Sequence, residues 1–178
     1  MTPPILETER LILRPHVVED FADVAALWAD PVVVRHISGT PSAAEASWSR
    51  LLRYIGHWQA LGYGYWAVVE RKTGDFLGEV GFADYQRQIS PGLQGRPEAG
   101  WVIATQAHGK GIATEAVQCM HQWADQQRDW SETVCIFDPE HMTSHRVASK
   151  VGYQPGGQAS YKGQPTLIMR RQKPAAAK

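Results

Sequence analysis

A six-residue turn, Gln106-Ala107-His108-Gly109-Lys110-Gly111, lies near the middle of the chain. The apolar run before it, residues 98–103, predicts a β-strand, and residues 112–127 after it carry apolar side chains at helical spacing. A glycine-bearing turn between a strand and a helix presents several backbone N–H groups at the helix N-terminus. Those groups and the helix dipole both favour negative charge. The turn therefore predicts a site for a phosphate or pyrophosphate.

Two common nucleotide-binding patterns do not fit this turn. A Walker A loop needs Gly-x-x-x-x-Gly-Lys-Ser/Thr, which the chain lacks, and a dinucleotide fingerprint needs a third glycine where Thr114 stands. Taken alone, the two glycines are equally consistent with phosphate binding and with a plain structural turn.

Composition narrows the class of protein. The 178 residues suffice for one domain with a sizeable core, and 18 basic residues balance 18 acidic ones. A nucleic-acid partner is not expected, because such binders usually carry a basic excess. No apolar run is long enough to predict a membrane span, and the N-terminus shows no secretory signal. With only two cysteines, Cys119 and Cys135, we expect reduced thiols in a cytoplasmic protein.

Hydrophobic periodicity predicts a single α/β domain over residues 1–172 with a mixed sheet, followed by a disordered tail at 173–178. A capping box at Ser42 and Glu45 is expected to open the second helix, and Asp138-Pro139-Glu140 the last one. Residues 85–97 are predicted to form a loop. The predicted strands are 11–15, 65–70, 76–82, 98–103, 133–137 and 166–170, and the predicted helices are 18–29, 42–61, 112–127 and 138–151.

One motif and four further blocks of the sequence carry a resemblance to a known family. Gln106-x-x-Gly109-x-Gly111-Ile112-Ala113-Thr114-Glu115-Ala116 resembles the acetyl-CoA pyrophosphate motif of the GNAT N-acetyltransferases. Within that superfamily the chain looks like the branch of ribosomal-protein N-terminal acetyltransferases. The other blocks occur in the family's order at residues 6–15, 76–81, 98–103 and 144–153, and the resemblance extends over almost the whole chain.

The resemblance implies a particular geometry for the cofactor. It implies a mixed, mostly antiparallel sheet flanked by helices, in which the strand of residues 98–103 splays from the strand of residues 133–137. Pantetheine would enter that split and pair with backbone groups of Val102 and Ile103. The pyrophosphate would be held by the amides of His108, Gly109, Lys110, Gly111, Ile112 and Ala113. The Lys110 side chain is as consistent with a solvated lysine as with a phosphate contact.

Catalytic roles follow from the same resemblance. Glu98, at the start of the splayed strand, matches a glutamate that takes a proton from the acceptor amine; the alternative is an exposed carboxylate at a strand end. Ser144 matches a serine beside the cofactor sulfur; the alternative is an ordinary serine in the first turn of a helix. A tyrosine that many family members use as general acid is replaced here by Ala148, so the general acid is unassigned.

His141 stands where the branch usually has an asparagine that contacts pantetheine. Together with His145 it forms a His-x-x-x-His pair whose spacing can hold zinc. However, Met142 occupies the position of the glutamate in His-Glu-x-x-His, and no third ligand is evident. We therefore predict a cofactor contact for His141 and no metal.

The resemblance implies an acetyl-CoA-dependent N-acetyltransferase that transfers the acetyl group directly to a primary amine. The acceptor could be a protein N-terminus or a small molecule, and the protein a monomer or a homodimer. The alternative is a non-catalytic acyl-CoA-binding or regulatory module with the same fold. Four aromatic residues are candidates for an acceptor pocket, with core packing as the alternative: Trp58, Tyr63, Tyr65 and Trp66.

Overall fold

The computed structural model describes residues 3–93 and 95–175. Within these ranges the chain forms one nine-stranded sheet flanked by helices. The strands are β1 (Leu6–Glu7), β2 (Leu11–Pro15), β3 (Tyr65–Glu70), β4 (Phe76–Ala83), β5 (Ile89–Ser90), β6 (Glu98–Ile103), β7 (Glu132–Phe137), β8 (Gln154–Tyr161) and β9 (Gln164–Gln172). The helices are α1 (Phe21–Ala29), α2 (Pro31–Val34), α3 (Ala44–Leu61), α4 (Ile112–Gln127) and α5 (Met142–Lys150).

The strands lie in the order β1-β2-β3-β4-β6-β7-β9-β8-β5, and the described pairings are antiparallel except that between β6 and β7. The predicted α/β fold with a mixed, mostly antiparallel sheet is therefore confirmed. Among the described residues, no helix combines the length and apolarity that crossing a membrane requires.

The sheet separates two cores because successive side chains of a strand point to opposite faces. On one face Val102 packs with Trp28 of α1 and Leu51 of α3. On the other face Ile103 packs with Ile112 and Met120 of α4. Strand β6 thus lies between the two helical layers.

Strands β6 and β7 separate along most of their length. In the described residues they pair only where Glu98 lies opposite Val134, next to a hydrogen bond from the Val134 amide to the Pro97 carbonyl at 3.0 Å. Beyond this point the parallel strands diverge towards their carboxyl ends, so the sheet contains a split whose closed end is at Glu98.

Several predicted boundaries differ from the structure. The predicted capping box is wrong, because α3 begins after Ala43 without any side-chain cap bond. The helix predicted from 138 begins at Met142, since Asp138 instead accepts the Glu140 amide in a turn. The helix predicted from Val18 begins with a 3-10 turn, Val18–Asp20, and becomes α-helical at Phe21.

Strand β8 was not predicted, because Gln154-Pro155-Gly156-Gly157 contains residues that disfavour strands. Its pairing with β9, interrupted by a register shift between Pro155 and Gly157, makes it a strand. At the C-terminus, Lys173 donates from its amide to the Ser131 carbonyl at 2.9 Å. The rest of the predicted tail reaches beyond the described residues, which end at 175.

Candidate active site

The glycine turn presents a row of unbonded amides. Gly109 and Gly111 have φ angles of 73° and 76°, in the left-handed region that glycine adopts without strain. Across the described residues, the amides from Gly109 to Thr114 donate to no protein acceptor, and the Glu115 amide is the first to bond back, to Gly111. Successive N–H groups at a helix start form a concave anion site.

The N-terminal segment braces this turn. Arg10 donates from its guanidinium to the Lys110 carbonyl at 2.9 Å and to the Glu115 carboxylate at 2.6 Å. The Thr8 hydroxyl donates to the same carboxylate at 2.6 Å. Arg10 is half exposed beside Gly111, so its guanidinium lies near the place where a phosphate would bind, although Glu115 balances its charge. The sequence reasoning missed Arg10, although it stands in the N-terminal block of the resemblance. The Lys110 side chain is exposed.

The edge of β6 supplies polar backbone groups to the split. The Ala104 amide bonds to the Leu77 carbonyl on β4, and Val102 lies opposite Glu79, so the alternation of an antiparallel pair directs the polar groups of Val102 to β4 as well. Those of Trp101 and Ile103 point the other way, into the split. The Ile103 carbonyl already accepts the His108 ring nitrogen Nε2 at 2.7 Å.

His141 and Ser144 lie at the start of α5, which follows β7 and forms the wall of the split opposite β6. His141 is the N-cap residue of α5, and its Nε2 lies 3.5 Å from the Ser144 hydroxyl, so the two predicted residues meet. His141 also stacks on His36 at a centroid distance of 4.9 Å, and His36 pairs with Asp138 at 3.1 Å. Burial, and then the nearby His36, lower the pKa of His141. The position of His36 was not predicted, because only the tertiary structure brings it to α5.

Glu98 is buried and bound by an arginine. Its two carboxylate oxygens accept the Nε and Nη2 groups of Arg87 at 2.7 and 2.8 Å. Burial opposes the charge on Arg87, but the hydrogen bonds and the charge of Glu98 outweigh it and raise the pKa of Arg87. The alternative of an exposed strand-end carboxylate does not hold, since Glu98 is 7% exposed.

On the same face of β6, Tyr65 lies across two glycines. A Cβ on Gly100 would overlap the Tyr65 hydroxyl, and one on Gly81 would lie 2.8 Å from its ring. Tyr65 stacks on Tyr54 at 4.4 Å with nearly parallel planes. Burial, followed by neighbouring Tyr85, raises the pKa of Tyr65 well above 10, so its hydroxyl is neutral near physiological pH.

A second buried carboxylate, Glu79, lies beside this stack. Its Oε1 accepts the Tyr54 hydroxyl at 2.7 Å and the Trp28 indole N–H at 2.8 Å. Burial raises the pKa of Glu79, against the opposing effects of nearby His16 and Tyr54. These residues were not predicted as a group, because they come from four separate elements.

The aromatic candidates for an acceptor pocket are mostly core residues. Trp58 and Trp66 are 2% and 0% exposed and pack edge to face at 4.8 Å. A pocket lies between the end of β4 and the start of β6. Its lining residues are Ala83, Asp84, Tyr85, Gln86, Arg87, Leu93, Arg96 and Glu98. Among the described residues, no group of three or more His, Cys, Asp or Glu side chains is arranged to hold a metal ion.

Comparison with known proteins gives the class. Residues 10–154 match the model of the acetyltransferase (GNAT) domain, so the chain belongs to the GNAT acetyltransferase family. It is an N-acetyltransferase of that family, which uses acetyl-CoA as the donor. The family that the motifs predicted is thereby confirmed.

Two curated relatives align with most of the chain. The uncharacterized N-acetyltransferase p20 of Bacillus licheniformis is 25% identical over 153 residues, covering 85% of this chain and 83% of that protein. The protein YkkB of Bacillus subtilis is 29% identical over 153 residues, covering 83% of each. A GnaT-family acetyltransferase structure from Bordetella pertussis is 25% identical, with a TM-score of 0.82 over 95% of this chain and 99% of that one.

More distant structures share the fold and were solved with coenzyme A species. RimL, a ribosomal L7/L12 α-N-protein acetyltransferase in complex with coenzyme A, is 14% identical with a TM-score of 0.78 over 95% of this chain and 98% of RimL. The microcin C7 self-immunity acetyltransferase MccE, in complex with acetyl-CoA and AMP, is 14% identical with a TM-score of 0.74 over 93% of both chains. At this identity they support the fold alone.

Proposed function

We propose that this protein transfers an acetyl group from acetyl-CoA directly to a primary amine, at the split between β6 and β7. The observation that carries the proposal is the row of unbonded amides from Gly109 to Thr114 at the open end of that split. These donors suit a pyrophosphate, and the split beyond them suits an extended arm. From Ile103 back to Glu98, strand β6 spans roughly 17 Å.

The proposal assigns a role to the predicted binding residues except Val102 and His108, whose backbone amides are bonded within the protein. The amides of Gly109 to Ala113 flank the phosphates, with the Arg10 guanidinium beside them, whereas the predicted His108 amide donates to the Thr105 carbonyl at 3.1 Å. The Trp101 and Ile103 backbone groups face the pantetheine arm, whereas the backbone of Val102 serves the sheet. His141 lies on the opposite wall, where its ring can replace the amide of the branch's usual asparagine.

Acetyl-CoA, when bound, supplies an activated thioester carbonyl. Glu98 takes a proton from the acceptor ammonium, which frees the nitrogen lone pair. A C–N bond then forms as the C–S bond breaks, and an N–H group on the split edge of β6 stabilises charge on the carbonyl oxygen. Ser144, held by His141, is placed to donate a hydrogen bond to the leaving thiolate. The net products are the amide, the free thiol and one proton.

The acceptor is proposed only as a class: a primary amine of a protein N-terminus or of a small molecule. RimL, which shares the fold, is named for a protein N-terminus. In this protein a buried carboxylate, Glu98, lies at the closed end of the split. A cytoplasmic location and a monomeric or homodimeric state stay predictions from the sequence.

The cofactor site is tested with Gly109→Asp. An aspartate at this position should repel the pyrophosphate and weaken acetyl-CoA binding by about tenfold or more, measured by calorimetry. Gly74→Asp is the matched control, since Gly74 has a φ of 79° and equally open surroundings but lies in the hairpin between β3 and β4. It should bind acetyl-CoA as the parent does.

Turnover is measured on the parent protein with a panel of amines and detection of free thiol. Amine-dependent thiol release supports the transferase. Tight acetyl-CoA binding without thiol release from any amine would favour the non-catalytic module. A folded Gly109→Asp variant with unchanged affinity would contradict the proposed cofactor site.

A further inference from the structure

The guanidinium of Arg87 occupies a cage of carboxylate and aromatic groups. It donates to both oxygens of Glu98 and, from Nη1, to the Tyr161 hydroxyl at 3.0 Å. It also lies over two aromatic rings, 4.5 Å from the centroid of Tyr85 and 5.0 Å from that of Tyr161. A carboxylate combined with two aromatic faces is a binding site for an organic cation.

The backbone turns Arg87 into this cage. Gln86 has a φ of 48°, which is uncommon for a residue with a side chain. Asp84 stabilises the turn by accepting the Gln86 amide at 3.0 Å and the Gln86 side chain at 2.6 Å. Strain of this kind is often found at functional sites.

The segment that carries Arg87 is joined to the rest of the sheet by a short contact. Strand β5 has two residues, and among the described residues its pairing with β8 consists of Ile89 opposite Tyr161 and Ser90 opposite Ser160. Arg87 itself precedes this pairing. Its side chain can therefore leave the cage without disturbing the central strands.

The cage adjoins the closed end of the split. Glu98 provides the carboxylate of the cage and also lies opposite Val134, where β6 and β7 last pair. A cation bound to Glu98 would thus lie next to the end of the pantetheine arm. While both oxygens of Glu98 are paired with Arg87, the positive charge of the guanidinium repels an acceptor ammonium from this carboxylate.

We propose that the cage of Glu98, Tyr85 and Tyr161 is the binding site for the acceptor's ammonium group, and that Arg87 is an internal stand-in which the acceptor displaces. This inference rests on the proposed function. The acceptor class is a protonated primary amine on an unhindered carbon, since the group must enter between two aromatic rings. Displacement frees Glu98, which then takes one proton from the bound ammonium.

The test uses the guanidinium ion as a probe for the emptied cage. Arg87→Ala should bind guanidinium, measured by NMR titration, about tenfold more tightly than the parent does. In the same variant the acceptor KM should fall several-fold, with the affinity for acetyl-CoA unchanged. Guanidinium should compete with the acceptor in the variant. Adding Tyr161→Phe should weaken the guanidinium binding.

Arg96→Ala is the matched control. Arg96 lines the same pocket and its loss removes the same charge, but it pairs with Glu132 and lies outside the cage. Arg96→Ala should not bind guanidinium more tightly than the parent does. An equal gain in affinity in both variants would mean that the loss of a positive charge explains the result, and it would overturn the proposal. Arg87→Gln, a milder change, replaces Arg87→Ala if the latter loses its cooperative thermal transition.

Different results would contradict the proposed cation site and the proposed function. Unchanged guanidinium binding in folded Arg87 variants, or an acceptor KM that rises while kcat falls, would show that Arg87 only supports Glu98, and would overturn the cage. Tight guanidinium binding in Arg87→Ala, combined with a parent protein that acetylates no primary amine, would keep the cation site and reject the proposed transfer to primary amines.

Discussion

At the scale of single residues, the acceptor face of β6 depends on the missing side chain of Gly100. The Tyr65 ring crosses from β3 over Gly81, and its hydroxyl occupies the space that a Cβ on Gly100 would need. The backbone of Gly100 has no positive φ, so the requirement for glycine comes from contact and not from conformation. Tyr65 is thereby held close to Glu98 and Glu79, whose charges add to its raised pKa.

Gly100→Ala should lower the free energy of unfolding by about 1–3 kcal/mol, because the new methyl group overlaps the Tyr65 hydroxyl. Tyr65→Phe removes that hydroxyl, so the double variant should recover part of the loss. Urea denaturation of the four proteins in this cycle measures the coupling. Gly56→Ala is the control, since Gly56 lies in α3 with open space around it, and that change should be neutral or stabilising. Additive losses at 100 and 65 would contradict this account.

A second residue-scale feature is the buried imidazole of His121. Its Nδ1 donates to the Val117 carbonyl at 2.7 Å, so Nε2 is free to accept the Tyr153 hydroxyl at 3.0 Å. Tyr153 in turn lies 2.8 Å from the Thr133 hydroxyl. Protonation of His121 would replace an acceptor with a donor opposite Tyr153. Burial accordingly lowers the pKa of His121 from 6.5 to about 4.

Stability should therefore depend on pH between about 4 and 6.5. In this window the unfolded chain protonates His121 and the folded chain does not, so the free energy of unfolding falls as the pH falls, by up to about 3 kcal/mol. Above 6.5 the contribution is complete. Chemical denaturation at several pH values in this range, on the parent and on His121→Gln, measures the slope of the free energy of unfolding against pH. The variant should lose this part of the slope, and an identical slope in both proteins would remove His121 from the explanation.

At the scale of elements, the separation of β6 from β7 creates the site. A central pair of strands normally satisfies its backbone groups mutually, whereas here Trp101 and Ile103 direct theirs into the split. Helix α4 begins at the open end of that split and α5 at its opposite wall. The secondary structure elements thus present three kinds of backbone donor to one ligand: a strand edge, a glycine turn and a helix N-terminus.

Hydrogen exchange tests this arrangement. The Trp101 amide should exchange faster than the Val102 amide in the free protein, because Val102 bonds to β4. Acetyl-CoA should slow exchange at Trp101 markedly, and at Val102 much less. The two residues are neighbours, so general stabilisation by the ligand would protect both alike. Equal protection at both amides would mean that the ligand does not lie along this edge.

At the scale of the whole molecule, two helical layers give the sheet two different faces. The face with α4 is apolar around the split, as Ile103, Ile112 and Met120 show. The face with α1 and α3 contains the buried carboxylates Glu79 and Glu98 together with Tyr54 and Tyr65. The buried carboxylate Glu98 and the apolar residues beside the glycine turn therefore lie on opposite faces of the sheet.

The local pattern of the sequence was enough to predict much of this molecule. The strand at 98–103 and the helix at 112–127 have the bounds that periodicity predicts, and Gly109 and Gly111 mark the turn between them by their positive φ angles. Such features need only φ preferences and nearest-neighbour spacing. The resemblance in one motif and four further blocks added the family, which the match over residues 10–154 confirms.

Other features arise from contacts between residues far apart in the chain. Strand β8 has a poor intrinsic preference for strand and forms because β9 pairs with it. Arg87 reaches Glu98 through a turn that no local sequence pattern predicts. Tyr161, which also binds Arg87, lies in a hairpin 74 residues further along the chain. His36 meets His141 across the split in the same way. Because pairing, burial and charge at these positions depend on distant partners, they became visible only once the chain was folded.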